Sequence, residues 1–179
     1  MKQTSDEALM LAIQQGDQEA FQQLVDRHMV ALHKFSQRML GNTNDADDVV
    51  QEAFLRVWQK STTWQMDKAK VSTWLHRIAH NLCIDWQRKP KLTTVDLTEA
   101  EDIPAATPDI SHIEMITNQV EQALQQLPER QRSAIVLCYY QGMSNREAAQ
   151  VLNVNLPALE SLLARARKYL KKLLVEEQS

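Results

Sequence analysis

Between residues 142 and 157 the chain punctuates three helices so tightly that few folds can accommodate it. Ser144-Asn145-Arg146-Glu147 reads as a capping box, in which the Ser144 hydroxyl accepts from the Glu147 N–H and the Glu147 carboxylate accepts from the Ser144 N–H. Gly142 supplies the left-handed residue that ends a preceding helix, predicted over 131–141. A second helix over 145–152 leaves it at a sharp angle, and Asn153-Val154-Asn155 makes a tight turn. With Asn155 as N-cap and Pro157 in the first turn, where a missing N–H costs little, a third helix is predicted from about Leu156 to about Glu176. That order is a helix-turn-helix.

The third helix has two faces. At about 100° per residue, Leu159, Leu162, Leu163, Ala166, Leu170 and Leu173 form one apolar stripe that must pack inward. Opposite it lie Glu160, Ser161, Ala164, Arg165, Arg167, Lys168, Lys171 and Lys172. This distribution suits a helix with its first turns in a major groove and its basic end beside phosphates. A lone cationic helix is usually no more than a solvated face; the capped helix and the turn before it favour duplex DNA.

A formal net charge of −3 argues against nucleic acid until it is divided along the sequence. Residues 1–91 are net +1, residues 92–127 are net −7 with no Lys or Arg, and residues 128–179 are net +3. The acidic part also holds Pro104 and Pro108, is rich in Thr and lacks an apolar period, which reads as an extended linker. Such a segment either keeps the chain soluble or competes with nucleic acid for a basic channel. The fold expected is therefore all-α, with two small helical domains, 1–91 and 115–179, joined by a flexible acidic linker, 92–114. No stretch is long and apolar enough to span a bilayer, and the N-terminus has no signal-peptide core, so a cytoplasmic protein without membrane insertion is expected. Cys83 and Cys138 stand far apart at helical apolar positions and read as buried thiols, not as a disulfide or zinc site.

Residues 1–91 read as helices throughout. Thr4-Ser5-Asp6-Glu7 is a second capping box, with a stop near Gly16. Asp17 caps a longer helix whose Phe21, Leu24, Val25, His28, Leu32, Phe35 and Met39 recur at three- and four-residue steps up to Gly41, with His28 at the edge of the core. A third helix starts near Asn44. Its first turn gathers Asp45, Asp47 and Asp48, which suits the helix dipole and lacks the glycine and distal glutamate of a calcium loop. The fourth, about Ser72 to Lys89, buries Leu75, Ile78, Ala79, Leu82 and Trp86. Beside that stripe Trp74, Arg77, Asn81, Asp85 and Arg88 line up, with Thr63-Trp64-Gln65 and Lys68 in the loop before them. Aromatic, amide and guanidinium groups in one row suit unpaired bases and their phosphates. His76 and His80, one turn apart with no acidic third ligand, read as exposed and not zinc-binding.

Together these segments resemble the extracytoplasmic-function sigma factors, promoter-recognition subunits of bacterial RNA polymerase. The resemblance covers nearly the whole chain. Asp45 through Trp58 is similar to the helix of sigma domain two that docks on the clamp coiled coil of the polymerase, which implies core-polymerase contacts at Asp48, Gln51, Glu52 and Leu55. Thr73 through Asn81, with Asp85 and Arg88, resembles the segment that reads the melted minus-ten element. It implies minus-ten contacts at Trp64, Lys68, Trp74, Arg77, Asn81 and Arg88, with Asn81 and the Trp64 loop holding a base taken out of the stack. Leu127 through Arg167 resembles sigma domain four, which reads the duplex minus-thirty-five element, here through Arg146, Glu160, Ser161, Ala164, Arg165, Arg167 and Lys168.

The partners this resemblance implies are core RNA polymerase, promoter DNA both double-stranded and melted, and an anti-sigma factor, in a stress or envelope response. No catalytic triad spacing and no phosphate-cradling glycine loop is present, so no enzyme, cofactor or metal is expected. Glu160 and Leu162 stand where many relatives carry Lys and Arg, Pro157 where glycine is common and His80 where a basic residue is common. The minus-thirty-five sequence is therefore not predictable from the family. Two rival classes are a helix-turn-helix regulator that binds its operator unaided, and a helical adaptor serving only protein contacts. The adaptor leaves the Trp74, Arg77, Asn81, Arg88 row without a use.

Overall fold

The computed structural model describes residues 3–90 and 108–176. Most of the linker expected over 92–114, including Pro104, lies outside them.

Four helices form the first half: α1 (Asp6–Gln14), α2 (Gln18–Leu40), α3 (Thr43–Lys60) and α4 (Val71–Arg88), with a 3-10 turn at Ser61–Thr63. Their starts are set by short polar side chains. Ser5 accepts from the Ala8 N–H, Asp17 from Glu19 and Ala20, and Asn42 from Asp45. The expected capping box at Thr4 is thus replaced by a cap one residue later, which puts Asp6 and Glu7 together in the first turn of α1. Asp6 then ties α1 to α2, accepting from Arg27 at 2.9 Å and lying 2.6 Å from His28. Burial pushes the Asp6 carboxyl up, but those two partners outweigh it and hold it below its ordinary range.

The second half comprises α5 (Pro108–Gln126), α6 (Glu129–Ile135) continued by a π turn over Val136–Tyr140, α7 (Asn145–Leu152) and α8 (Leu156–Glu176). Helix α5 takes in residues 108–114, read from sequence as the end of the linker. The capping box at Ser144 is present with both bonds, 3.1 and 2.8 Å, and Gly142 is left-handed at φ 66°. Asn153 is left-handed too, at φ 54°, and Asn155 caps α8 through Ala158 at 2.8 Å. Leu159, Leu163 and Ala166 are buried and Leu162, Leu170 and Leu173 half-buried, as the apolar stripe requires.

The two halves share one hydrophobic core, because α4 packs on α7 and the C-terminal end of α2 packs on α5 and α6. Arg132, 8 % exposed, organises this seam. Its guanidinium donates to the carbonyls of Leu124 (2.9 Å), Gln125 (2.9 Å) and Leu127 (3.1 Å) around the end of α5, and to that of Met39 (2.7 Å) at the end of α2. These carbonyls lie at the negative ends of two helix dipoles, so the buried charge is satisfied without a carboxylate salt bridge. Burial lowers its pKa, and Glu129 nearby raises it. Gln125 donates to the Arg38 carbonyl at 2.7 Å, and Arg38 pairs with Glu121 at 3.2 Å while lying 4.1 Å over the Tyr140 ring.

This seam overturns the expectation that His76 and His80 are exposed. His76 is 4 % exposed, with Nδ1 donating to the Ser72 carbonyl at 2.7 Å and Nε2 3.0 Å from the Gln141 side-chain amide. His80 is half-buried, its Nε2 3.0 Å from the Ser133 hydroxyl. Both sit on the side of α4 that the second half covers. A single-helix reading leaves that side in water; the tertiary packing does not.

Candidate nucleic-acid interface

Three surfaces carry the residues singled out by sequence. On α3, Gln51 and Leu55 border an apolar groove of about 650 Å³ whose walls are Phe21, Val25 and Met29 of α2 with Val50, Phe54 and Trp58 of α3. Asp48 and Glu52 belong instead to a polar cleft of about 320 Å³ between α3 and α4, with Arg56, Asp85 and Lys89. The helical turn therefore splits these four residues between two neighbouring surfaces. Glu52 is already engaged by Arg56, four residues on, at 3.0 Å.

The second surface is a cavity of about 550 Å³ bounded by the 63–69 loop, the N-terminal half of α4, and the α7–turn–α8 segment. It brings together Trp64, Lys68, Trp74 and Arg77 from the first half and Arg146 from the second. Lys68, Arg77 and Arg146 are exposed and Trp74 is half-buried. Trp64 departs from the sequence reading: it is only 4 % exposed, its indole N–H donating to the Ala69 carbonyl at 3.1 Å. A ring of that size inside a core brings its N–H a partner, so Trp64 shapes the loop and offers the cavity little more than an edge. Asn81 and Arg88 are exposed further along α4, Arg88 about 16 Å from Arg77 at 1.5 Å per residue, and lie outside the cavity.

The third surface is the outer face of α8, where Glu160, Ser161, Ala164, Arg165, Arg167 and Lys168 are all exposed, as expected. Arg167 donates to the Tyr139 hydroxyl at 2.9 Å, which ties α8 to the π turn that continues α6. Leu156, at the start of α8, and Asn153 and Val154 of the turn face the α4 cavity instead. The N-terminal turn of α8, the end that a recognition helix presents to a groove, is therefore turned towards the first half of the chain. At this boundary Lys70 reaches Glu147 at 2.8 Å. Lys70, with the Ser144 N–H, keeps the Glu147 carboxyl below its ordinary pKa.

Sequence reasoning missed Lys70, Gln141, Ser133 and Arg132, the residues that join the halves. The only local signal was Arg132 itself, a charge two residues before the apolar run Ala134-Ile135-Val136-Leu137. Cys83 is buried, which pushes its thiol up to about 12, and Cys138 is half-buried with its Sγ 3.7 Å from Asn145 Oδ1. Among the described residues no three His, Cys, Asp or Glu side chains converge to hold a metal, and no helix is long and apolar enough to cross a membrane.

Two family models match the chain: sigma-70 region 2 over residues 24–93 and sigma-70 region 4 over residues 117–170. The ECF RNA polymerase sigma factor SigW of Bacillus subtilis is 33 % identical over 174 residues, covering 90 % of this chain and 92 % of its own. The ECF RNA polymerase sigma-E factor of Escherichia coli K12 is 32 % identical, covering 93 % of each. Among solved structures, CnrH in complex with the cytosolic domain of CnrY superposes with a TM-score of 0.74 at 31 % identity, covering 96 % of this chain and 97 % of that one. Sigma factor RpoE in complex with the anti-sigma factor NepR, from Bartonella quintana, has the same fold, with a TM-score of 0.67 at 24 % identity over 86 % of this chain and 96 % of its own.

Proposed function

Because the chain belongs to the extracytoplasmic-function family of RNA polymerase sigma factors, and so directs core polymerase to promoters, we propose how its parts divide that task. Residues 1–91 bind the polymerase and read the melted minus-ten element. Residues 92–114 act as the linker and 115–179 read the minus-thirty-five duplex. The apolar groove beside Gln51 and Leu55, with Asp48 and Glu52 on its flank, receives the clamp. Trp74, Arg77, Asn81 and Arg88, with Lys68, take the unpaired strand, and Trp64 holds the loop that shapes this surface. Glu160, Ser161, Ala164, Arg165, Arg167 and Lys168 of α8, with Arg146 of α7, face the duplex. The protein acts in the cytoplasm and is no enzyme, the chemistry belonging to the polymerase. An anti-sigma factor restrains it, by analogy with the relative RpoE, whose partner NepR is an anti-sigma factor.

The observation that carries this reading is the pairing, in one chain, of a basic helix-turn-helix with a separate helix bearing an aromatic, amide and guanidinium row. It also implies a rearrangement. The minus-ten and minus-thirty-five elements lie about 25 base pairs apart, about 85 Å at 3.4 Å per pair. Here the residues assigned to the two elements share one cavity, so the seam must open before both are engaged.

Transcription with purified core polymerase on a genomic promoter library tests the reading. Discrete start sites that require this chain are expected, with little shift of promoter duplex by the free protein at physiological salt. A free protein that shifts duplex DNA unaided, with no polymerase-dependent transcripts, supports the self-sufficient regulator instead.

A further inference from the structure

The cavity between the halves has the composition of a ligand site in its own right. Lys68, Arg77 and Arg146 all border it, and none of them pairs with a carboxylate among the described residues. Three uncompensated cations around one space attract an anion of matching charge, and guanidinium groups favour phosphate geometry. Thr73 forms part of the same wall. It is 2 % exposed, its hydroxyl lying inside the wall. The half-buried Trp74 indole supplies an aromatic surface beside the cations. A volume of about 550 Å³ lies within the usual range for small-molecule sites.

We propose that this closed form binds a nucleoside polyphosphate, with the phosphates on Lys68, Arg77 and Arg146 and the base against Trp74. Because Arg146 comes from the second half and the other groups from the first, a bound nucleotide bridges the seam. It therefore favours closure and opposes promoter engagement. The chemistry of a phosphate-bearing nucleoside is shared by a strand of unpaired DNA, but a strand read by the first half alone has no need of Arg146. Nucleotide binding of this kind depends on the packed arrangement and not on which promoter or polymerase the chain serves.

Isothermal titration of the full-length protein with ATP and GTP, inorganic tripolyphosphate and a single-stranded DNA trinucleotide tests it. Saturable binding of a nucleoside triphosphate at one site per chain is expected. Arg146→Ala should raise the dissociation constant by about tenfold or more, while Trp74→Ala should bring the nucleotide down to the affinity of tripolyphosphate. Lys34→Ala, on the exposed side of α2, controls for general charge loss and should leave binding unchanged; circular dichroism verifies that each variant is folded. Two results overturn the proposal: no saturable heat at millimolar nucleotide, or nucleotide binding that folded Arg146→Ala leaves intact. The second outcome, with the trinucleotide binding more tightly, identifies the surface as a strand-reading site of the first half alone.

Discussion

Acid should loosen the seam, and His80 fixes the scale. In the closed form burial, the largest influence, together with the charge of Arg130, brings its pKa down to about 4, against a smaller upward pull from Asn81. Its Nε2 faces the Ser133 hydroxyl, which itself donates to the Glu129 carbonyl at 2.9 Å. Once α4 and α6 separate, the ring is hydrated and returns to an ordinary value of about 6.5. Closure binds the proton less well, so its stability is fully present above pH about 6.5 and is lost progressively as pH falls through that value towards 4. At pH about 5.5 the loss from His80 alone is about 1.4 kcal/mol, a tenfold fall in the ratio of closed to open, rising to about 3.4 kcal/mol below pH 4. Burial lowers the pKa of His76 as well, which acts in the same direction. Titration of the His80 ring proton by NMR in the full chain measures the premise, and small-angle scattering over the same range follows the separation. A ring that titrates at its ordinary value in folded protein refutes the reasoning, because it places His80 in water with the seam already open.

Trp74→Ala with Asn81→Ala should leave core-polymerase binding intact but block promoter opening, as read by permanganate footprinting; full opening by the pair removes α4 from the melted strand. Glu52→Arg breaks the Arg56 pair and puts a cation where the clamp is expected to be basic. It should weaken core binding by about 2 to 5 kcal/mol if the contact is desolvated, and an unchanged titration counts against that surface. Glu160 has no ion-pair partner among the described residues and is exposed on α8. Glu160→Lys should relax preference at one minus-thirty-five position by about 1 to 3 kcal/mol and steepen the salt dependence by about one phosphate contact. Specificity and salt slope both equal to wild type would move Glu160 off the DNA.

What could be read from sequence were the features decided within a few residues. The Ser144–Glu147 box, the left-handed Gly142 and the Asn155 cap are local bargains between one side chain and the nearest backbone N–H or C=O, and α7 and α8 have the predicted bounds. The N-cap of α1 slipped by one because Thr4 and Ser5 are chemically equivalent candidates and only packing chooses between them. Features decided across the seam were illegible. His76 and His80 have the same one-turn spacing whether a second layer covers them or not, and Trp64 shows no sign in sequence of the Ala69 carbonyl that lets it go inside. The 63–69 loop, Trp74 and Arg77 were legible as neighbours on one surface, whereas the addition of Arg146 to it depended on the mutual packing of two segments some seventy residues apart.

Arg132 bears on how such proteins can be recombined. A guanidinium that caps the ends of both α2 and α5 makes the C-terminal half a partner fitted to one particular carbonyl, that of Met39. Exchanging the helix-turn-helix for that of a relative, to retarget promoters, therefore transplants half of a lock. Where the incoming half lacks the arginine, or the resident α2 ends one residue earlier, the chimera loses the bond that ties the end of α2 to the second half. Modularity in this architecture ends at the helix termini, and a graft that respects domain boundaries alone alters the seam as well as the face it exchanges.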